Sequence, residues 1–558
     1  MRDRKQRWER VWPPHAPREL KIEKALPEYV REMAEKSPNR VALNFYGREI
    51  TYSEFNDFCN RLANGLIRLG VKKGDRVALH MQNCPQFPIG LFGALRAGAV
   101  VVALNPMFKQ SEIEHQLKDA RAETLIGLDY LYPEVEKARS ALNLKTVLLT
   151  SLGDFLPDRP SLQLPPEARI PKQTFASTAD FMSFLEASHS GAVNEVSDLA
   201  NDLALLQYTG GTTGVPKGAM ISHYGFALAA VGGAKWFNLT PDDVSLSVSP
   251  FFHIMGMIQG MTNALITGGQ AVVLTRFVPD VVAEAISLNR CTGWVAAPTM
   301  LTALMQLPDM ERYDISSFRY ICTGGAPIAV EVQRRIKELA PGAVIVEGYG
   351  LTESISQGGT VTPLGRYKPG FVGIPNINDV KIVDLESVSV DLDYNQEGEI
   401  VIQGPCLMTG YWGRPEATAE AIKVGWLHTG DIGLMDDEGY LKVVGRKKEM
   451  MLCSGYNVFP VELENTLYKH PAVAEVAVIG VPDAYRGESP KAFVVLRSDY
   501  ADSVNEQEIL EWCKDNMAAY KRPRLVEFRP ELPKSAAGKV LKRILVDEER
   551  ERPGEANA

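Results

Sequence analysis

Residues 100–104 read Val-Val-Val-Ala-Leu, five apolar positions in a row, and this run constrains the fold more than any other stretch. A strand with no polar alternation must be buried on both faces. That happens in parallel sheets whose crossover helices cover both sides. Its surroundings fit: residues 76–81 read as a strand and residues 85–97 as a helix, so 76–104 is one strand–helix–strand unit. The same alternation returns at 271–274, 281–289 and 294–297, and again at 320–323, 328–339 and 344–346. The fold class predicted is therefore α/β, with mainly parallel sheets. The apolar stretch 87–104 contains Pro88 and Arg96 and is too short and interrupted for a membrane span.

A chain of 558 residues has material for several lobes. Before the first unit, 27–37 reads as an amphipathic helix, and 40–45 with 48–51 as a hairpin turning at Tyr46-Gly47. A helix over 52–69 has Ser53 as its expected N-cap. Residues 154–202 are rich in proline and polar residues and read as an irregular surface loop. Beyond about residue 370, short strands with glycine turns, at 398–404 and 439–445, indicate a small β-rich subdomain. The last hundred or so residues, with strands at 473–481 and 491–496 and a helix at 505–516, form an α+β unit. The predicted architecture is a large N-terminal domain, 1–445, holding two mainly parallel αβα subdomains and the β-rich one. A small C-terminal α+β domain, 446–558, follows.

The formal net charge of -9 gives no basic footprint, so a nucleic-acid partner is not expected. The seven cysteines form no C-x-x-C pair and the histidines no H-E-x-x-H spacing, so neither a zinc site nor a histidine metal site is expected. Scattered cysteines and a polar N-terminus without an apolar core point to a cytoplasmic location.

Residues 208–218 read Tyr-Thr-Gly-Gly-Thr-Thr-Gly-Val-Pro-Lys-Gly. Glycines let such a loop approach an anion and turn its N–H groups inward. Thr209, Thr212 and Thr213 add hydroxyl donors, and Lys217 adds charge. The loop should hold a polyphosphate. It is not a Walker A loop, because Lys217 lies between Pro216 and Gly218. With the motifs that follow it in order, from about residue 25 to 545, this loop resembles the phosphate loop of the adenylate-forming superfamily. That superfamily includes acyl-CoA synthetases, luciferases and nonribosomal peptide adenylation domains.

The resemblance implies roles residue by residue. Thr209, Gly210, Gly211, Thr212, Thr213, Gly214 and Lys217 would cradle ATP phosphates. His253, closing Ser249-Pro250-Phe251-Phe252-His253, would sit near the reacting carboxylate. Gly324, Gly325, Ala326 and Pro327 would line the nucleotide and acyl pockets. In Gly348-Tyr349-Gly350-Leu351-Thr352-Glu353, Tyr349 offers a face for adenine, Thr352 a donor to the α-phosphate, and Glu353 a hard oxygen for Mg²⁺, shared with Thr209. Asp431 and Arg446 would hold the ribose. Lys448 stands at the hinge position, Gly455 leaves room for the pantetheine arm, and Lys539 is the catalytic lysine.

These assignments imply an acyl-CoA ligase that joins a carboxylic acid to coenzyme A through an acyl-adenylate, using ATP and Mg²⁺. The likeness is nearest to medium- and long-chain fatty acyl-CoA ligases, with Met255, Gly256, Met257, Gly324 and Gln357 expected around the acyl group. Some long-chain members have a gating tryptophan where this chain has Met257, so an aryl-acid ligase of the coumarate or benzoate kind stays open. A stand-alone carrier-loading adenylation enzyme is the other alternative, disfavoured because the sequence ends about twenty residues after Lys539. The partners expected are the acid, ATP and coenzyme A. Peripheral membrane contact and a homodimer are left open.

Overall fold

A computed structural model describes residues 8–209, 216–324, 328, 330–387, 390–454, 456–483, 486–500, 503–535 and 540–551. Two large sheets dominate. One has eight strands, with Leu203–Thr209, Val100–Leu104, Arg76–His80, Thr124–Leu128 and Thr146–Thr150 running parallel in that spatial order. Lys217–Ser222 and Gly410–Tyr411 extend it antiparallel beyond Leu203–Thr209. The other has nine strands, whose parallel centre runs Val344–Tyr349, Tyr320–Gly324, Gly293–Ala296, Val244–Ser247, Gln270–Val273, Val41–Phe45. The α/β class predicted for these lobes holds.

The strand–helix–strand unit sits where the sequence put it. Val100–Leu104 is buried along its length, and so is the helix Gln86–Arg96 before it. Even Arg96 is enclosed, its guanidinium donating to the Asn60 and Asn56 side chains. No helix among the described residues is long and apolar enough to cross a membrane.

Two local expectations change. The helix Tyr52–Arg68 is capped by Thr51, not Ser53: the Thr51 hydroxyl accepts from Glu54 N–H while the Glu54 carboxylate accepts from Thr51 N–H. This reciprocal pair satisfies two otherwise orphaned donors, which Ser53 inside the helix could not do. Residues 154–202 are also less irregular than expected. They include the helix Phe181–Glu186, capped by Asp180, whose Phe181 and Leu185 are buried. Six residues are too short to show a helical period in sequence.

A third sheet, all antiparallel, joins Asp379–Val383, Gly398–Gln403, Trp426–Met435, Ile422–Lys423 and Leu441–Arg446. It is the β-rich subdomain. The fourth, from Met451–Cys453 to Leu525–Phe528, has helices Pro460–Leu467 and Glu506–Asn516 around it and is the predicted α+β unit.

Candidate active site

Four strands end on the segments singled out in the sequence. Leu203–Thr209 leads to the Gly/Thr segment, Val244–Ser247 to Ser249–His253, Tyr320–Gly324 to the Gly325-Ala326-Pro327 segment, and Val344–Tyr349 to Gly350–Glu353. In open α/β sheets, ligands bind outside the carboxyl ends of parallel strands. The topology therefore gathers dispersed motifs at one place.

The strands on either side of the Gly/Thr segment are paired: Thr209 faces Lys217 across the antiparallel ladder. Gly210, Gly211, Thr212, Thr213 and Gly214 lie outside the described residues. The strand pair is fixed by Asp119, which accepts from Tyr208 at 2.7 Å and from Arg414 at 2.6 Å. Lys217 Nζ lies 5.0 Å from the centre of the Tyr411 ring. The Tyr411 hydroxyl donates to Glu353 Oε1 at 2.7 Å. One tyrosine thus links the loop lysine to the carboxylate expected to meet Mg²⁺. Burial, then the Glu353 charge, pushes the Tyr411 phenol above its usual range, so it stays a donor.

Thr352 and Glu353 belong to a short 3₁₀ turn, Thr352–Ser354. Gly350 is required beside it, since a Cβ there would lie 1.9 Å from the Ser356 carbonyl oxygen. Gly348 pairs with Gly324 across the parallel ladder. Tyr349 donates to Asp431 Oδ2 at 2.8 Å, and Arg446 Nε lies 2.9 Å from Asp431 Oδ1. Asp431 and Arg446 are cross-strand partners in the third sheet. Burial, then the Asp431 carboxylate, raises the Tyr349 pKa well above normal. Burial opposes the Arg446 charge, but Asp431 and Glu449 more than offset it and its pKa is raised. The three residues form a fixed acceptor–donor edge. A carboxylate so placed accepts hydrogen bonds, the chemistry that a ribose diol needs.

Asn83 braces the segment that ends at His253: its amide donates to the Ser249 carbonyl at 2.9 Å, and its oxygen accepts from Phe251 N–H at 2.8 Å. His253 is half-buried. Gly256 opens a π-helical stretch, Gly256–Thr262, where a Cβ would sit 2.2 Å from the Pro250 carbonyl oxygen. Met255 packs with the group that holds Tyr349 and Leu351, whereas Met257 is fully buried in the main core with Phe251 and Ile258. Gln357 is also fully buried. Gly325, Ala326 and Pro327 lie outside the described residues.

Comparison with known proteins matches residues 30–412 to the family described as AMP-binding enzyme and residues 462–539 to its C-terminal domain. The chain belongs to the AMP-binding enzyme family. It is 36% identical over 553 residues to a long-chain-fatty-acid–CoA ligase of Bacillus subtilis (strain 168), covering 98% of each chain. It is 35% identical over 515 residues to a feruloyl-CoA synthase of Amycolatopsis sp, covering 91% of this chain and 96% of the relative. The crystal structure of an anthranilate CoA ligase in complex with anthranoyl-AMP superposes with a TM-score of 0.85 at 28% identity, covering 95% and 98%. The expected acyl-CoA ligase class is supported along nearly the whole chain.

In this AMP-binding enzyme, Lys448 is exposed in the short turn Lys447–Glu449 that follows Arg446. Lys539 and Gly455 lie outside the described residues. The helix Lys542–Glu551 is anchored at its start: Lys542 Nζ lies 2.8 Å from Glu464 and 3.2 Å from Glu449. Nearby, Tyr456 and Tyr520 stack with ring centres 4.4 Å apart, and Tyr456 is 56% exposed. Arg486, Arg522 and Arg524 form a cationic group: burial first, then the charges of Arg486 and Arg522, lower the Arg524 pKa. Among the described residues, no three His, Cys, Asp or Glu side chains cluster to hold a metal. A Mg²⁺ bound by Glu353 and Thr209 would keep most of its waters, as that ion usually does. Sequence reasoning missed Asp119, Tyr411 and the Tyr456–Tyr520 pair.

Proposed function

We propose that this acyl-CoA ligase takes a medium- or long-chain fatty acid, ATP and coenzyme A to acyl-CoA, AMP and diphosphate. The observation that carries the adenylating half is the joining of two clusters at the strand ends: Tyr349–Asp431–Arg446 and Lys217–Tyr411–Glu353. The first offers a carboxylate to the ribose hydroxyls. The second places a cation and a hard oxygen beside the phosphate loop.

A carboxylate is a poor acyl donor because oxide is too basic to leave. Its attack on the α-phosphorus expels diphosphate and leaves the acyl group on AMP, a good leaving group. Negative charge gathers between the carboxylate and the α-phosphate. Thr352, the Gly/Thr segment and Lys539 balance it, each aimed as a donor or charge. Mg²⁺, when bound, neutralises phosphate charge. The coenzyme A thiol then attacks the acyl carbon and AMP leaves. For the nucleotide end of coenzyme A, the stacked tyrosine pair, with Tyr456 exposed, and the three arginines supply a stacking face and phosphate-binding charge. The mobile unit is residues 446–558, carrying Lys539 and turning at Lys448.

The fatty-acid assignment is supported by the Bacillus relative. An aryl acid is the second reading, favoured by the match to a feruloyl-CoA synthase. Measuring AMP release with alkanoic acids of increasing length, benzoate and coumarate, with and without coenzyme A, tests both. Coenzyme A-dependent turnover on medium or long alkanoates is expected. Turnover confined to aryl acids selects the second reading, and AMP release unaffected by free coenzyme A defeats the ligase assignment.

A further inference from the structure

Asp119 stands on the last turn of the helix Gln110–Ala120, with its side chain only 11% exposed. That helix carries none of the motifs read from the sequence, yet three donors from distant parts of the chain converge on this one residue. Tyr208 donates to its Oδ2 at 2.7 Å, Arg414 to its Oδ1 at 2.6 Å, and the Trp412 indole N–H to its backbone carbonyl at 3.1 Å. An ionised carboxylate only accepts, and hydrogen bonds with a charged partner are the strong ones. Burial, then the bond to Asp119, raises the Tyr208 phenol above its usual pKa range, so it remains the donor.

These donors tie Asp119 to both strands that flank the Gly/Thr segment. Tyr208 is on the strand before it, Leu203–Thr209. Trp412 and Arg414 follow Gly410–Tyr411, which lies antiparallel on the strand after it, with Gly410 opposite Met220 and Tyr411 opposite Ala219. The Trp412 backbone N–H then donates to the Gly218 carbonyl at 2.8 Å. The Tyr208 ring lies against Gly218, its cross-strand partner, where a Cβ would come 3.1 Å from the ring Cζ. One carboxylate thus refers both strands to the same helix. Trp412 also borders a cavity of about 400 Å³, lined in part by Val100, Leu203 and Leu206. On that side its hydrogen bonds, rather than packing, hold it in place.

Between the two strands, residues 210–216 read Gly-Gly-Thr-Thr-Gly-Val-Pro. Glycine restricts the backbone least, so the shape such a segment offers a polyphosphate depends on how its two ends are held. We infer that Asp119 is a positioning residue for ATP: through Tyr208 and Arg414 it fixes the strands flanking the Gly/Thr segment, and so sets the affinity for the nucleotide. The inference rests on the ATP-dependent ligase reading and deepens it. Binding groups work only when supporting residues hold them to within about 0.5 Å, and a shift of about 1 Å from a distant change can cost on the order of 10².

The test measures Kd for ATP with Mg²⁺ by calorimetry on the full-length protein, its melting temperature, and KM for coenzyme A with an acid that turns over. Asp119→Ala is expected to weaken ATP binding about ten- to hundred-fold and leave KM for coenzyme A unchanged. Tyr208→Phe deletes one hydroxyl, leaves the Asp119–Arg414 pair in place, and should weaken ATP binding as well. In the double variant the loss should fall well short of the product of the two single losses, because both break one contact. Asp119→Asn keeps an acceptor oxygen and should recover part of the affinity. Should Asp119→Ala not fold, Tyr208→Phe and Asp119→Asn decide. A lowered melting temperature with unchanged Kd for ATP overturns the inference, since a residue that only stabilises the fold gives that result. Equal losses for ATP and coenzyme A, or single losses that multiply in the double variant, overturn it too. Wild-type protein that binds no ATP brings down the ligase reading itself.

Discussion

Glu347 lies on the strand leading to Tyr349, and its buried carboxyl accepts from the Tyr367 hydroxyl at 2.9 Å. Burial, outweighing that bond, pushes its pKa from 4.5 up to about 7. The raised value means the folded protein holds a proton that the unfolded chain has already released between those two pH values. Stability therefore falls as pH rises through this window, and the cost is complete above about pH 7. Glu347→Gln removes the ionisable group but keeps an acceptor for Tyr367. The variant should match wild type near pH 5 and exceed it at pH 8 by on the order of 2–3 kcal/mol. Denaturation midpoints at the two pH values check this, and a pH-independent difference contradicts it. None of this was visible in the sequence, where Glu347 was one more residue before a recognisable Gly-Tyr-Gly. Asp119 and Tyr411 were invisible for a similar reason. Their partners stand 89 and 58 positions away, and single residues of common types carry no local signal.

At the scale of elements, the sequence was most legible where periodicity was unbroken. The strand Val100–Leu104 has its expected bounds, and the helix Gln86–Arg96 lies within one residue of them at each end. The π-helical stretch Gly256–Thr262 was not foreseen, since its wider turn depends on neighbours rather than on spacing. Gly256 lets the chain pass the Pro250 and Ser249 carbonyls, which a Cβ would approach to 2.2 and 2.8 Å. Both obstacles are backbone, so neither can move aside as a flexible side chain would. Gly256→Ala should cost about 1–3 kcal/mol, read by chemical denaturation. It should also reduce adenylate formation, because the stretch begins three residues after His253. An unchanged midpoint would show that the loop relaxes freely.

For the whole molecule, the proposed mechanism calls for two arrangements of one active site, with Lys539 serving the adenylate step before coenzyme A reaches its product. The turn Lys447–Glu449 joins the β-rich sheet to the C-terminal one, and Lys542 ties the last helix to both Glu449 and Glu464. Glu449 follows Lys448, so this clamp would travel with the C-terminal unit and carry the lysine segment along. Two half-reaction measurements check the arrangement. Lys448→Pro should retain ATP–diphosphate exchange and lose thioester formation. Lys539→Ala should lose on the order of 10²–10³ in adenylate formation and less in thioester formation from supplied acyl-adenylate. Equal losses in both half-reactions, for either variant, contradict a two-arrangement cycle.

The sequence by itself determined the α/β class, the order of the sheets along the chain and the residue types proposed for the adenylating chemistry. Those properties follow from local periodicity and from motifs contained in a few consecutive residues. Only the tertiary structure decided which residues meet. It set Tyr349 on Asp431 across 82 positions, parted Met255 from Met257, and left the Gln357 amide buried without a partner among the described residues. Contacts of that kind are made by the packing of sheets that are distant in the chain. No short stretch of residues contains them.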